Sequence, residues 1–218
     1  MMSSVLIERA SGGVQTVGLL KGDLSDEVLE ACLRASIVAW DIETTGLDWR
    51  TDRIATVQIH VGESTYVVQL NGGTPQRLKA LLENDGQTKI LHYAMFDLRF
   101  MAHHWDATPA SVACTKIASK LARPTAAAAE HSLAPLVERH LGVQLDKTMQ
   151  TSDWTVAGLH DEQLLYAADD VRYLWPLHGT LERELRQQGL IELRDQCFAH
   201  LPTRVALELG GYPDVFTY

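Results

Sequence analysis

Two acidic residues at the end of an apolar segment are the first side chains in this sequence that can do chemistry together. Asp41 and Glu43 close an apolar run that begins near Ser36 and is typical of a central β-strand. Alternate residues of a strand point to the same face, so the two carboxylates are presented side by side. Like charges in a partly buried position are costly unless a cation holds them. The pair therefore favours a metal site, and the alternative is a strand end at which both acids meet water.

Further acids lie in two predicted helices. Asp97 falls in the first turn of a helix that follows a short strand, where an acid also interacts favourably with the helix dipole. Tyr166 and Asp170 are spaced i and i+4 in the segment YAADD, so they share one face of a helix. Tyr166 and Asp169 are neighbours at i and i+3, and spacing alone leaves open which aspartate joins the tyrosine. Taken singly, each of these residues is explained by an ordinary structural role.

Taken together, these carboxylates form an oxygen-rich set that contains neither cysteine nor paired histidines. Hard cations such as Mg²⁺ or Mn²⁺ prefer such ligands. Two such ions about 4 Å apart can clamp the attacking and leaving oxygens of a phosphoryl displacement. The residues therefore predict a site for two divalent cations and a reaction at phosphorus.

Three segments carry a resemblance to a known family. DIETTGL, HYAMFDL and YAADD, in this order, resemble the three motifs of the DEDD 3′–5′ exonucleases, and LDKTMQTSDW resembles a segment of the ribonuclease D branch. The resemblance implies a ribonuclease H-like fold and favours Asp170 over Asp169. It also implies the tyrosine subclass, because Leu165 stands where the histidine subclass has histidine. The metal ligands that it implies are Asp41, Glu43, Asp97 and Asp170.

The function that the resemblance implies is a two-metal 3′–5′ exoribonuclease that releases nucleoside 5′-monophosphates from single-stranded RNA 3′ ends. Tyr166 would orient the attacking water, since its ordinary pKa of about 10 makes it a poor base. An exodeoxyribonuclease and a catalytically silent nucleic-acid-binding domain are the alternatives. For Trp154, a core anchor is the alternative to a substrate contact. The residues expected near the substrate are Thr44, Gly46, Leu47, His92, Phe96, Lys147 and Trp154.

The elements that must position these residues follow from the periodicity of the sequence. Strands come early and helices late, which predicts an α/β fold with a mixed sheet covered by helices on both sides. The order of the strands stays open. The helix over 127–141 is predicted to be interrupted or kinked near Pro135, and the helix over 159–188 is predicted to be kinked at Pro176. Strands are predicted over 14–20, 36–42, 53–61, 65–70 and 89–92, and helices over 25–34, 74–83, 94–104, 114–122, 127–141, 159–188 and 191–209.

The chain is expected to form a single exonuclease domain over residues 1–218, with a core of about 14–200 and a helical C-terminal extension over 201–218. Longer ribonuclease D proteins carry HRDC domains after the nuclease, and this sequence is expected to lack them.

A net charge of −9 excludes a protein that is held to nucleic acid by bulk positive charge. Lys116, Lys120 and Arg123, at i, i+4 and i+7 of a predicted helix, offer a local phosphate-facing stripe; a solvated helix face is the alternative. No apolar run approaches the roughly 18 residues of a membrane span, and no secretory signal is visible. Three widely spaced cysteines favour a reducing compartment, so a cytoplasmic protein without a membrane partner is expected.

Overall fold

The computed structural model describes residues 3–8, 14–212 and 214–217, and the sheet within them has seven strands. Predicted strands are found at all five expected places, with ends that differ by at most two residues. The N-terminal strand and the short strand before residue 115 were not predicted. The strands are Ser3–Glu8 (β1), Val14–Lys21 (β2), Ile37–Thr44 (β3), Ile54–Val61 (β4), Ser64–Gln69 (β5), Thr88–Leu91 (β6) and Val112–Cys114 (β7).

The strand order is β1-β2-β5-β4-β3-β6-β7, and the sheet is mixed, as predicted. Strand β3 lies inside it, antiparallel to β4 and parallel to β6. The pairing with β6 stops at Ala39, whereas the pairing with β4 continues to Thr44. The C-terminal half of β3 is therefore open on one side, and this opening is where the predicted acids lie.

Helices cover both faces of the sheet. One face packs against α1, α2, α3 and α8, and the other face packs against α6 and α7. The short segment Ala128–His131 is a 3₁₀ helix. The α-helices are Asp26–Arg34 (α1), Gln76–Glu83 (α2), Ala94–Trp105 (α3), Thr115–Ala122 (α4), Leu133–Leu141 (α5), Asp161–Arg172 (α6), Leu174–Gln187 (α7) and Ile191–Leu209 (α8).

The helix boundaries correct two details of the sequence-based prediction and decide a third that was left open. Cys114 ends strand β7 and precedes α4, so the predicted helix begins one residue later. Near Pro135 the predicted helix is interrupted rather than kinked, and the kink predicted at Pro176 is wrong: each proline is the third residue of a new helix, α5 or α7. A proline is tolerated there because the first turn of a helix needs no backbone donor. The two predicted helices are divided before their prolines, at Ser132 and at Tyr173.

The C-terminal helix α8 is packed into the main core, so residues 201–209 are not a separate extension. Leu201 and Val205 are buried against the same cluster as Trp40 of β3. Beyond the helix, Tyr212 and Phe216 are exposed. Within the described part of the chain, no helix is both long and apolar enough to cross a membrane.

Candidate active site

Strand β3 sends alternate side chains to opposite faces of the sheet. Trp40 and Ile42 are buried in the core that contains α3, whereas Ala39 packs in the cluster formed with α6 and α7. Asp41 and Glu43 have the same parity as Ala39, so they face α6. The small side chain of Ala39 lets the helix layer come close to the strand at this point.

Helix α6 brings the third carboxylate to this pair. Ala167 and Ala168 are fully buried against the sheet, which lets the helix backbone approach closely. One carboxylate oxygen from each of Asp41, Glu43 and Asp170 lies within 4.8 Å of the other two. Residues that are 129 positions apart in sequence thus form one cluster of ligand-type oxygens.

The two adjacent aspartates of α6 have different surroundings. Asp170 joins the cluster with Asp41 and Glu43. Asp169 points along the helix instead, and its carboxylate lies 3.2 Å from Nε of Arg172. The geometry therefore agrees with the family resemblance and selects the aspartate that spacing alone left open.

Asp97 approaches the cluster from helix α3. It is buried, with 2% of its surface exposed, and its carboxyl group accepts a hydrogen bond from the N–H of Ile42. That contact is available because β6 does not pair with this part of β3. Asp97 lies outside the 4.8 Å set, yet its charge helps to raise the pKa of Asp41 and of Glu43.

Burial dominates the electrostatics of the cluster. It raises the pKa of Asp41 and of Asp97 well above the usual range, and neighbouring carboxylates add to the effect. Burial and the nearby aspartates raise the pKa of Glu43 to about 9, and burial raises the pKa of Asp170 to about 7. Protein groups alone therefore do not compensate these charges. An all-oxygen donor set of this kind fits Mg²⁺ or Mn²⁺.

Tyr166 completes the cluster from one turn earlier on α6. Its hydroxyl donates a hydrogen bond to the carboxylate of Asp170. Burial, followed by the charges of Asp170, Glu43 and Asp41, raises the pKa of Tyr166 far above its ordinary value. The phenol therefore stays protonated at neutral pH, and it is suited to donating a hydrogen bond rather than to accepting a proton.

A cleft of about 640 Å³ opens above these carboxylates. Its volume lies within the range of roughly 300–1,000 Å³ that is usual for ligand sites. The structure brings all seven residues that were expected near the substrate into the wall of this cleft. These residues are Thr44, Gly46, Leu47, His92, Phe96, Lys147 and Trp154.

Trp154 and His92 are each held in place by a contact with another residue. Trp154 is 3% exposed and packs on Tyr166 with ring centroids 5.9 Å apart, so it is at once a core residue and part of the cleft wall. His92 places Nδ1 2.9 Å from Oγ1 of Thr115. Burial, with a smaller effect of nearby Lys116, lowers the pKa of His92 to about 3, so its imidazole is neutral near pH 7.

The expected basic stripe on α4 is divided by its surroundings. Lys116 lines the cleft, and Lys120 is exposed without being part of the cleft wall. Arg123 forms an ion pair at 3.1 Å with Glu130, which also pairs with Arg139, and it does not line the cleft. Lys147 supplies a second cation at the cleft, close enough to lower the pKa of Asp170 slightly against the effect of burial.

Sequence reasoning missed polar neighbours of the acids on strand β4. Gln58 pairs with Asp41 and Thr56 with Glu43 across the two strands, and both polar residues are fully buried. Nε2 of Gln58 donates to Oγ1 of Thr56 over 2.7 Å. The alternation of polar residues in IATVQIHV was the available signal, because an inward polar face on a central strand needs polar partners.

The loop after β3 also contains an unpredicted residue. Asp52 accepts a hydrogen bond from the N–H of Asp48 over 2.9 Å, and its carboxylate lies directly against Gly46. A Cβ atom at Gly46 would overlap that carboxylate. Gly46 thus leaves room for the Asp52 side chain, and this role leaves no trace in the spacing of the motif.

A mixed sheet with helices on both faces and a carboxylate cluster at the open end of an interior strand defines a nuclease of ribonuclease H-like fold. A family model described as 3′–5′ exonuclease matches residues 18–186. The chain belongs to this 3′–5′ exonuclease family and is a ribonuclease D-like hydrolase.

Known relatives agree with this assignment. Ribonuclease D of Haemophilus influenzae is 32% identical over 173 residues, which cover 78% of this chain and 43% of the relative. DNA polymerase I of Aquifex aeolicus is 34% identical over 192 residues, covering 79% of this chain and 31% of the polymerase. The chain therefore spans less than half the length of these curated relatives.

Solved structures give the same result over nearly the whole chain. NrnC of Brucella melitensis superposes with a TM-score of 0.85 at 37% identity, covering 93% of this chain and 98% of that one. Structures of that protein include one with bound Mg²⁺ and one with pGG. Ribonuclease D of Escherichia coli superposes with a TM-score of 0.75 at 26% identity, covering 86% of this chain and 50% of that one.

Proposed function

We propose that this protein is a two-metal 3′–5′ exoribonuclease that releases nucleoside 5′-monophosphates from single-stranded RNA 3′ ends, and that it serves RNA processing or turnover. The observation that carries the proposal is the convergence of Asp41, Glu43 and Asp170 within 4.8 Å at the floor of a cleft. Such a site suits a reaction in which negative charge grows on phosphate oxygens.

The carboxylates divide into two ligand groups in this proposal. Asp41, Glu43 and Asp170 would hold one divalent cation, and Asp97 together with Asp41 would hold the second. When bound, Mg²⁺ or Mn²⁺ ions lower the pKa of a water molecule and stabilise charge on the leaving 3′ oxygen. The raised pKa values of the four carboxyl groups support this fit, because the protein around them does not compensate their charge.

Tyr166 positions the attacking water. Its hydroxyl is anchored to Asp170 and remains protonated, since burial and three carboxylates raise its pKa. It therefore orients the water through a hydrogen bond and leaves proton removal to other groups. A fixed orientation of this kind removes entropic cost from the attack.

The substrate enters with its 3′ end in the cleft. Thr44, Gly46 and Leu47 surround the terminal nucleotide, with His92 and Phe96 close by, and Lys147 and Trp154 contact the strand. A neutral His92 offers hydrogen bonds without adding charge. RNA is favoured over DNA because ribonuclease D proteins are relatives of this chain and because NrnC has been solved with pGG.

A DNA-directed 3′–5′ exonuclease is the second candidate. The observation that favours it is the 34% identity to a DNA polymerase I over 79% of this chain. A catalytically silent binding domain is disfavoured, because all four acids and Tyr166 are in place. We also propose that residues 1–218 act as one nuclease domain in the cytoplasm, a location that suits the free thiols of Cys32, Cys114 and Cys197.

The test uses RNA and DNA oligonucleotides of one sequence, labelled at the 5′ end, with either a 3′-hydroxyl or a 3′-phosphate. Each is incubated with Mg²⁺, Mn²⁺ or EDTA, and released products are separated by chromatography. A ladder that shortens from the 3′ end, yields nucleoside 5′-monophosphates and disappears in EDTA supports the proposal if RNA is degraded faster. Faster loss of DNA favours the second candidate. Binding without shortening in either metal contradicts both.

A further inference from the structure

The residue that immediately precedes helix α3 has an unusual backbone for its type. Tyr93 adopts φ 60° and ψ 44°, the left-handed region, at the N-terminal end of the helix that carries Asp97. Bulky residues rarely adopt this conformation, whereas glycine, asparagine and aspartate do so at lower cost. A tyrosine at this position therefore needs an explanation that lies outside the backbone.

Neither burial nor hydrogen bonding of the Tyr93 side chain offsets the free energy of this backbone conformation. Tyr93 is 48% exposed, so burial of its ring explains little. Within residues 3–8, 14–212 and 214–217, its ring contacts no other aromatic ring, and its hydroxyl has no hydrogen-bond partner. Backbone strain of this kind clusters at active sites and ligand-binding positions.

The position of Tyr93 indicates what that function is. Tyr93 lines the same cleft as Asp41 and Asp170, next to His92. The ammonium group of Lys116 lies over its ring, 4.2 Å from the centroid, and Lys116 also lines the cleft. Lys116 forms no ion pair with a carboxylate in the described part of the chain. The cleft thus contains an exposed aromatic surface with an uncompensated positive charge beside it.

We propose that Tyr93 is a stacking platform for a nucleobase of the substrate strand, and that Lys116 binds the phosphate next to that base. Aromatic side chains stack on any base, and a neighbouring ammonium group neutralises the backbone. The inference rests on the proposed nuclease function. It adds a binding contact on the wall formed by the start of α3 and the first turn of α4.

Substitution by asparagine separates this role from a structural one. Asparagine tolerates the left-handed backbone, so Tyr93→Asn should keep the melting temperature or raise it by about 2–4 °C. Loss of one stacked base should raise KM for a 3′-hydroxyl oligonucleotide about 10-fold, with kcat little changed. Tyr93→Phe keeps the ring and should restore KM. Asp106→Asn, at another left-handed residue (φ 51°) outside the cleft wall, is the control and should change neither.

An abasic substrate series identifies the contact directly. A single abasic nucleotide is moved stepwise from the 3′ end, and KM is measured for the native protein and for Tyr93→Asn. At one position of the abasic nucleotide, KM of the native protein should rise about 10-fold, while KM of Tyr93→Asn should not rise further. The stacking role is overturned if KM rises equally at every position of the abasic nucleotide. It is also overturned if Tyr93→Asn loses activity together with a lower melting temperature. If the native protein degrades no oligonucleotide, the proposed function itself fails.

Discussion

The carboxylate of Asp169 lies 3.2 Å from Nε of Arg172, whereas its neighbour Asp170 faces the opposing carboxylates of strand β3. Two residues of identical chemistry are thus separated by one step of helix rotation. We expect Asp170→Asn to lower kcat at least 100-fold, because it removes a metal ligand. Asp169→Asn is the matched control and should change kcat less than threefold. Similar losses in both variants, measured on 5′-labelled RNA, would argue against the assignment of Asp170.

Tyr166 should matter for rate rather than for affinity. Tyr166→Phe removes the hydroxyl that donates to Asp170 while the ring stays packed on Trp154. We expect kcat to fall about 100-fold, as for a misplaced reacting group, with KM unchanged. The shape of the pH–rate profile should also stay the same, since the hydroxyl does not titrate near neutral pH. Loss of one limb of that profile would instead assign proton transfer to Tyr166. Tyr212→Phe, on the exposed C-terminal segment, is the control.

Removal of divalent cations should make stability depend on pH. In the metal-free protein the pKa of Glu43 is raised to about 9 and that of Asp170 to about 7, while the unfolded chain titrates near pH 4. The folded state therefore binds more protons than the unfolded chain between about pH 4 and pH 9. The resulting stabilisation is complete below pH 4 and is lost as pH rises through 7 to 9.

Thermal melts in EDTA should consequently show a falling melting temperature from pH 5 to pH 9. Saturating Mg²⁺ should reduce this fall. The increase in melting temperature that Mg²⁺ causes should therefore grow with pH and reach about 5 °C. Asp170→Asn, which removes one of the raised carboxyl groups, should show a shallower fall in EDTA. A Mg²⁺ shift that is the same at pH 6 and at pH 9 would contradict the charge compensation.

Gly46 and Asp52 should behave as a coupled pair. Gly46→Ala places a Cβ against the Asp52 carboxylate, so either that side chain or the loop that follows Glu43 must shift. We expect kcat/KM to fall about 10-fold, because small displacements near reacting groups are costly. Asp52→Ala removes the obstacle, and the double variant should therefore be more active than Gly46→Ala alone. Additive losses in the double-mutant cycle would show that the two side chains act independently.

The sequence by itself determined the local geometry of the site. Alternation along β3 puts Asp41 and Glu43 on one face, and helical spacing puts Tyr166 and Asp170 on another. Both relations depend on residues a few positions apart, and so they hold in any fold that keeps the strand and the helix. The mixed α/β class was readable for the same reason, since apolar periodicity is local.

Tertiary structure decided which of these local faces meet. The early end of the β3–β6 pairing gives Asp97 access to the N–H of Ile42, and the fully buried Ala167 and Ala168 set the approach of α6. The contact of Asp52 with Gly46 depends likewise on a residue outside the motif. Such relations join segments that are distant in sequence or set by a single turn, and local periodicity carries no information about them.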